Sequence, residues 1–308
     1  MRTLSKIAIL AITLSSTAVF AGGGGSSAKP LQGSYPVVLA HGLFGWGSSN
    51  GAPISILDYW GGMDDYLRSQ GAAVLVPTVT ATQSSSVRGN QLKSAILYWM
   101  AANGYSKVNV FGHSQGGLDG RYMISNLAMG SKVAVYTSIS TPHKGSPIAD
   151  LVKTVIPDWL KPFVGSALGA LVKLVWGGSQ QDALAALQAL TTGGLATFNA
   201  TTPNVSGVKY FSYGSYMTLP DPIQHPLMFV LQPICAAGGL FNGQGSQNDG
   251  LVPSSSQQWG TWKGGPSYGL FITGIDHLQI VNGIYSGQTW FDVQGFFLNM
   301  TTNAKNSQ

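Results

Sequence analysis

Glutamate is absent from this 308-residue chain, so all eleven acidic side chains are aspartates and any catalytic or metal-binding carboxylate must be an Asp. A single cysteine, Cys235, excludes an intrachain disulfide. Its apolar neighbours make it a small buried hydrophobe rather than a redox group. Charge is scarce at 9% of residues, against roughly a quarter in an ordinary soluble domain. The formal net charge of +5 is not gathered into Lys/Arg clusters, which argues against nucleic acid as a partner. A surface this poor in charge suits neutral or greasy material better. Beyond the first 21 residues no apolar run approaches a membrane span. No internal repeat is present, and the glycine-rich stretch 238–250 lacks the nine-residue period of a calcium-binding β-roll.

What the chain does have is apolar residues, 44%, and 41 glycines, enough for a sizeable core and too apolar for disorder. Residues 1–21 have the layout of a secretory signal peptide: Arg2 and Lys6, the apolar run Ile7 to Leu14, then small residues Val19 and Ala21 before Gly22. That run is too short and too rich in Ser and Thr for a retained anchor. The expectation is a protein working outside the cytoplasm, secreted or periplasmic, without a transmembrane anchor. Residues 22–34 read as a Gly/Ser-rich linker, 35–302 as one catalytic domain and 303–308 as a polar tail. Within the domain, strands at 36–40, 73–76, 107–111 and 133–139 alternate with helices at 60–70, 87–102 and 117–128. This alternation predicts an α/β fold with a mostly parallel sheet covered on both faces.

The sharpest local signal is Gly112-His113-Ser114-Gln115-Gly116, placed where an apolar strand meets a helical pattern. A chain that reverses this tightly needs glycines on either side, and it holds Ser114 strained and raised above the sheet. Its oxygen then lies near the positive end of the following helix. Such a nucleophile needs two backbone N–H groups for the oxyanion of a tetrahedral intermediate. Gln115, directly after the serine, offers one. The loop Ala40-His41-Gly42-Leu43-Phe44-Gly45, after the first strong strand, offers the other at Leu43. His41 reads as a brace for that loop rather than a base.

Hydrolases built on this turn order their triad as serine, acid, histidine. His41 precedes the serine, His113 adjoins it and faces away, and His143 leaves little room for an acid between. His225 and His277 remain, and His277 on a late loop is favoured. Asp276 is too close in sequence to orient it, which leaves Asp221 and Asp249. Asp249, in the turn Asn248-Asp249-Gly250 28 residues upstream, is preferred and expected at a strand end. It would accept from the imidazole and fix its tautomer.

Taken together, Ala40-His41-Gly42, Val87-Arg88-Gly89, Gly112-His113-Ser114-Gln115-Gly116-Gly117, Pro142-His143-Lys144-Gly145, Asn248-Asp249-Gly250-Leu251-Val252 and His277-Leu278 resemble, in this order, the bacterial true lipases of the Pseudomonas–Burkholderia–Proteus type, family I. The resemblance spans about 35–282. It implies an α/β-hydrolase fold, triacylglycerols or other carboxylic esters as substrates at an interface, and the triad Ser114, Asp249, His277. A lipase-specific foldase is a partner that it implies for many members. It also implies that the apolar segment at about 146–195 forms a helical lid; an ordinary core helix pair is the alternative. Trp46, Trp159 and Trp176 could line an acyl groove or pack. The chain departs from the family in lacking its disulfide. It departs again at the structural calcium: Asp221 matches one ligand position, but Gln279 stands where the second carboxylate belongs. A neutral amide offers oxygen without charge, so a hard cation loses much of its binding energy there. No cofactor is required by the chemistry. The competing readings are a carboxylesterase or polyester hydrolase with the same triad, an acyl transferase, and a binding protein that has kept the fold without the chemistry.

Overall fold

The computed structural model describes residues 28–47, 58–153, 186–283 and 291–308. Six parallel strands form one sheet: β1 (Val37–Ala40), β2 (Val74–Leu75), β3 (Val108–His113), β4 (Val133–Ile139), β5 (Lys209–Tyr213) and β6 (Thr261–Trp262), in the order β2-β1-β3-β4-β5-β6. β1, β3 and β4 are buried along their whole length. That explains why apolar residues follow one another in Val37–Ala40 and Val133–Tyr136 in place of alternation.

Parallel neighbours need crossovers, and helices supply them. The helices are α1 (Met63–Ser69), α2 (Ser85–Asn103), α3 (Gln115–Asn126), α4 (Pro147–Lys153), α5 (Thr192–Thr201), α6 (Met228–Phe241) and α7 (Val293–Ser307). Alternate strand residues feed two cores. Val37, Leu39, Phe111, Val135 and Phe211 pack with Met63 and Leu67 of α1 and Phe296, Phe297 and Met300 of α7. Val38, Val108, Val110 and Tyr136 pack with Leu92, Ile96 and Met100 of α2 and Met123 and Ile124 of α3. Each fully buried Leu or Ile contributes about 1.5–3 kcal/mol. α2 begins on Ser84, whose hydroxyl accepts from Val87 N–H, and ends on Gly104 at φ 70°, a left-handed stop that glycine adopts without strain.

The α/β sheet covered on both faces is thus the observed architecture. β4 coincides with the predicted strand, and α1 to α3 lie within a few residues of the predicted helices. Two boundaries differ. Residues 303–307, expected in a polar tail, complete α7, and the Gln308 side chain accepts from Tyr35 N–H at 2.8 Å. Apolar positions Phe297, Met300 and Ala304 carry the helix through that polar stretch. At the other end, Leu31 of the expected linker is fully buried and its N–H donates to Gln70 O at 2.9 Å. Most of the lid-like segment, 154–185, lies outside the described residues. Of its flanks, Ala149, Leu190 and Leu195 pack on Leu118 of α3.

Candidate active site

A parallel sheet of this kind gathers its loops, and normally its ligand, at the carboxyl ends of the strands. Ser114 stands at that edge, between β3 and α3, at φ 54° and ψ −128°. A non-glycine residue held there stores about 1–3 kcal/mol of strain. The flanking glycines explain how the turn closes. A Cβ on Gly112 would come within 2.5 Å of Gly117 Cα, and one on Gly116 would run into the carbonyl of Ala40. Ser114 N–H donates to Ile139 O at 2.9 Å, tying the turn to β4. Gln115 opens α3, and its backbone N–H is one of those that a helix start leaves without an intrahelical acceptor.

Ser114 lines a mainly apolar cavity with His277, Leu43, Trp46, Leu190 and Val252. Trp46 both lines this cavity and is fully buried; Trp159 and Trp176 lie outside the described residues. His277 Nδ1–H donates to Asp249 Oδ2 at 2.8 Å, and His277 N–H donates to Asp249 O at 2.9 Å. The carboxylate can only accept, so this tautomer leaves the Nε2 lone pair free. Among the described residues no hydrogen bond closes between Ser114 and His277; such bonds often tighten only with substrate bound.

Asp249 is fully buried and uses every acceptor direction: Oδ1 takes Leu251 N–H at 3.0 Å and Val252 N–H at 2.8 Å, and Oδ2 also takes Gln257 Nε2–H at 3.2 Å. The expected strand end is not its location. Asp249 sits in a turn after α6, pinned by a bridge from Asn248 to Met217. Asn248 shapes that turn by accepting Gly250 N–H at 2.8 Å while its amide donates to Gln232 O at 3.1 Å. Gln257 gave no sequence signal, yet it also accepts Ser215 N–H at 2.8 Å and so fixes the far side of Asp249.

The other four histidines are engaged elsewhere. His41 donates Nδ1–H to Gly42 O at 2.9 Å and accepts Val79 N–H on Nε2 at 3.2 Å, which makes it a brace of the Leu43 loop. Burial, aided by the charge of Arg88, lowers its pKa to about 3. His143 contacts Ser138 Oγ at 2.9 Å and Arg121. His225 contacts Asp276 Oδ2 at 3.3 Å, and its other ring nitrogen contacts Thr273 Oγ1 at 3.1 Å. His113 is packed beneath His277, with ring centroids 4.8 Å apart.

Arg88, a motif residue without an expected task, is fully buried behind the Leu43 loop. It donates to His41 O at 2.7 Å, Gly42 O at 3.2 Å and Thr80 O at 2.7 Å, and its Nε–H donates to Asp119 at 2.7 Å. Asp221, the other candidate acid, is turned onto its own loop. Its Oδ1 accepts Ile223 N–H at 2.7 Å and Gln224 N–H at 3.2 Å, and its Oδ2 accepts the Gln224 amide at 3.2 Å. These backbone bonds are the first cause of its lowered pKa. Gln279 accepts Asp276 N–H at 3.1 Å and donates to Gln224 O at 2.5 Å. Cys235 is buried, and burial raises its thiol pKa well above the usual value.

Comparison with known proteins bears on the fold and the family. A family model described as alpha/beta hydrolase fold matches residues 35–189. A triacylglycerol lipase of Vibrio cholerae is 38% identical over 288 residues, covering 83% of this chain and 86% of that protein. A triacylglycerol lipase of Pseudomonas fragi is 31% identical, covering 73% and 82%. In fold, the Staphylococcus hyicus lipase superposes with a TM-score of 0.62 at 18% identity, covering 89% of this chain and 97% of that one. The chain belongs to the α/β-hydrolase family, where it stands with the bacterial lipases.

Proposed function

We propose that Ser114, His277 and Asp249 form the triad of a triacylglycerol lipase that is exported by a leader at 1–21. One observation carries the reading. The buried Asp249–His277 pair and the strained Ser114 turn meet at one mainly apolar cavity. In this mechanism His277 Nε2 takes the Ser114 proton as Oγ attacks the ester carbonyl. Asp249 holds the ring and supports the imidazolium. The N–H groups of Leu43 and Gln115 receive the oxyanion. His277 then returns the proton to the departing alcohol, leaving an acyl group on Ser114 that water removes by the same steps. The apolar walls shelter the acyl chain.

The reading includes no metal. The oxygens of Asp221 already accept three hydrogen bonds, and the Gln279 amide is spent between Asp276 N–H and Gln224 O. A dedicated foldase enters only as a partner of the related lipases; spontaneous refolding from urea would dispense with it. A fluorophosphonate probe should label wild-type protein and not Ser114→Ala. Hydrolysis of long-chain triacylglycerol emulsions, measured against soluble butyrate esters and polyester films, tests the substrate. Negligible long-chain activity would move the reading to an esterase or polyester hydrolase with the same triad.

A further inference from the structure

Tyr59 carries no sequence signal, and the place of His113 beside Ser114 predicts a ring facing away from the serine. The structure joins them. Gly42 N–H donates to Tyr59 Oη at 2.8 Å, Tyr59 Oη lies 2.6 Å from His113 Nδ1, and His113 Nε2 lies 2.9 Å from His277 O. The two ends fix the direction of every proton. A backbone N–H at Gly42 can only donate, and a carbonyl at His277 can only accept. His113 must therefore carry its proton on Nε2, and Tyr59 must donate to Nδ1. Of the two neutral forms of His113, only this one satisfies all three contacts.

We propose that Tyr59 and His113 are positioning residues: a hydrogen-bonded relay that sets the Leu43 oxyanion loop in register with the main chain of the catalytic base. The inference rests on the roles given above to Leu43 and His277. Gly42 directly precedes the Leu43 N–H, and a Cβ at Gly42 would come within 2.7 Å of Ser114 Cβ. The loop and the serine turn thus approach closely, and the relay links the loop after β1 to the loop that carries His277. The His113 ring is fully buried, and burial, followed by the nearby His277, lowers its pKa well below the usual value. In the other neutral tautomer a bare Nε2 would face the His277 carbonyl, acceptor against acceptor, and the relay would break at that end. Edge-to-face packing of the Tyr59 ring on Trp46 and Trp60, at 5.9 and 5.4 Å, keeps it in place without the hydroxyl.

Tyr59→Phe is therefore the test, read on a soluble butyrate ester. Misplacing an oxyanion donor relative to the base affects the transition state more than the bound ester, so kcat should fall about 10- to 100-fold while KM stays within about threefold. The rate of fluorophosphonate labelling should fall in parallel. His113→Asn keeps an acceptor for Tyr59 but stops short of His277 O, so it should show the same split. The double variant should be no slower than the worse single one, because the relay can be broken only once. Should Tyr59→Phe fail to fold, the His113→Asn split decides alone. An unchanged kcat in a labelled, folded variant would overturn the relay, as would a KM effect without a kcat effect or losses that multiply. Wild-type protein that takes no label would overturn the catalytic reading itself, and with it the relay.

Discussion

Replacing Arg88 separates stability from catalysis. In Arg88→Met a buried carboxylate, Asp119, loses its cation, and the carbonyls of His41, Gly42 and Thr80 lose donors. Removing one partner of a buried pair costs about 3–5 kcal/mol. The lower end applies here. Burial already raises the Asp119 pKa to about 6 against the pull of Arg88, so without Arg88 the carboxyl takes a proton and relieves part of the cost. In a domain of this size each kcal/mol moves Tm by about 2–4 °C, which gives a fall of roughly 6–12 °C. The double variant Arg88→Met, Asp119→Leu removes both charges, and an apolar replacement of a buried pair is often neutral. Its Tm should recover most of the loss. Its kcat should not, because the carbonyls of the oxyanion loop remain unclamped; a deficit of about 10- to 100-fold is expected in both variants. Calorimetry and soluble-ester kinetics on the same preparations decide the matter. If kcat returns together with Tm, Arg88 serves the fold alone, and its link to the oxyanion loop is refuted.

Asp249→Asn should lower kcat by about 10⁴, as read by single-turnover kinetics on protein shown to be folded; a loss under about tenfold would refute the acid assignment. Burial holds the His41 pKa at about 3 against 6.5 unfolded, so the unfolded chain takes up this proton first and stability is lost as pH falls through that window. At about pH 5 the loss is roughly 2 kcal/mol, and urea melts of His41→Asn should lack it; Asp119, which acts in the opposite sense, cancels between the two proteins. Chelation by EDTA should leave the Tm of wild-type protein unchanged, while Gln279→Asp should make it chelator-sensitive.

The serine turn was readable in the sequence because its signature is local, two glycines flanking Ser114, although only the contact of Gly112 with Gly117 is local and Gly116 is forced by Ala40 of β1. The candidate base was approached by elimination, since the chain has only five histidines and chain order leaves His225 and His277; the structure adds that His277, not His225, meets Asp249. The acid followed from chain order, but its setting did not, because the turn of Asp249 is held by bridges to Met217 and Pro253 rather than by a strand. Tyr59, Gln257 and the task of Arg88 were not legible. Their bonds connect residues 17, 42 and 46 positions apart, and no periodicity records such partners. The end of α7 is hidden in the sequence because within 303–307 Ala304 alone is buried, so the polar residues there look like a tail.

These braces share a chemistry that fits a chain so short of charge. Arg88, His41, His113, Gln257 and Gln279 each spend their hydrogen bonds largely on main-chain atoms of the catalytic loops. Four of the five are amides or imidazoles, and the two imidazoles have their pKa values lowered by burial, which favours the uncharged ring. Burying a neutral polar group that is fully paired costs far less than burying an ion. In the proposed mechanism Leu43 and Gln115 act through backbone N–H groups, so their own side chains matter less than where the main chain is held. Substitutions at these polar side chains should therefore affect turnover more than Leu43→Ala does.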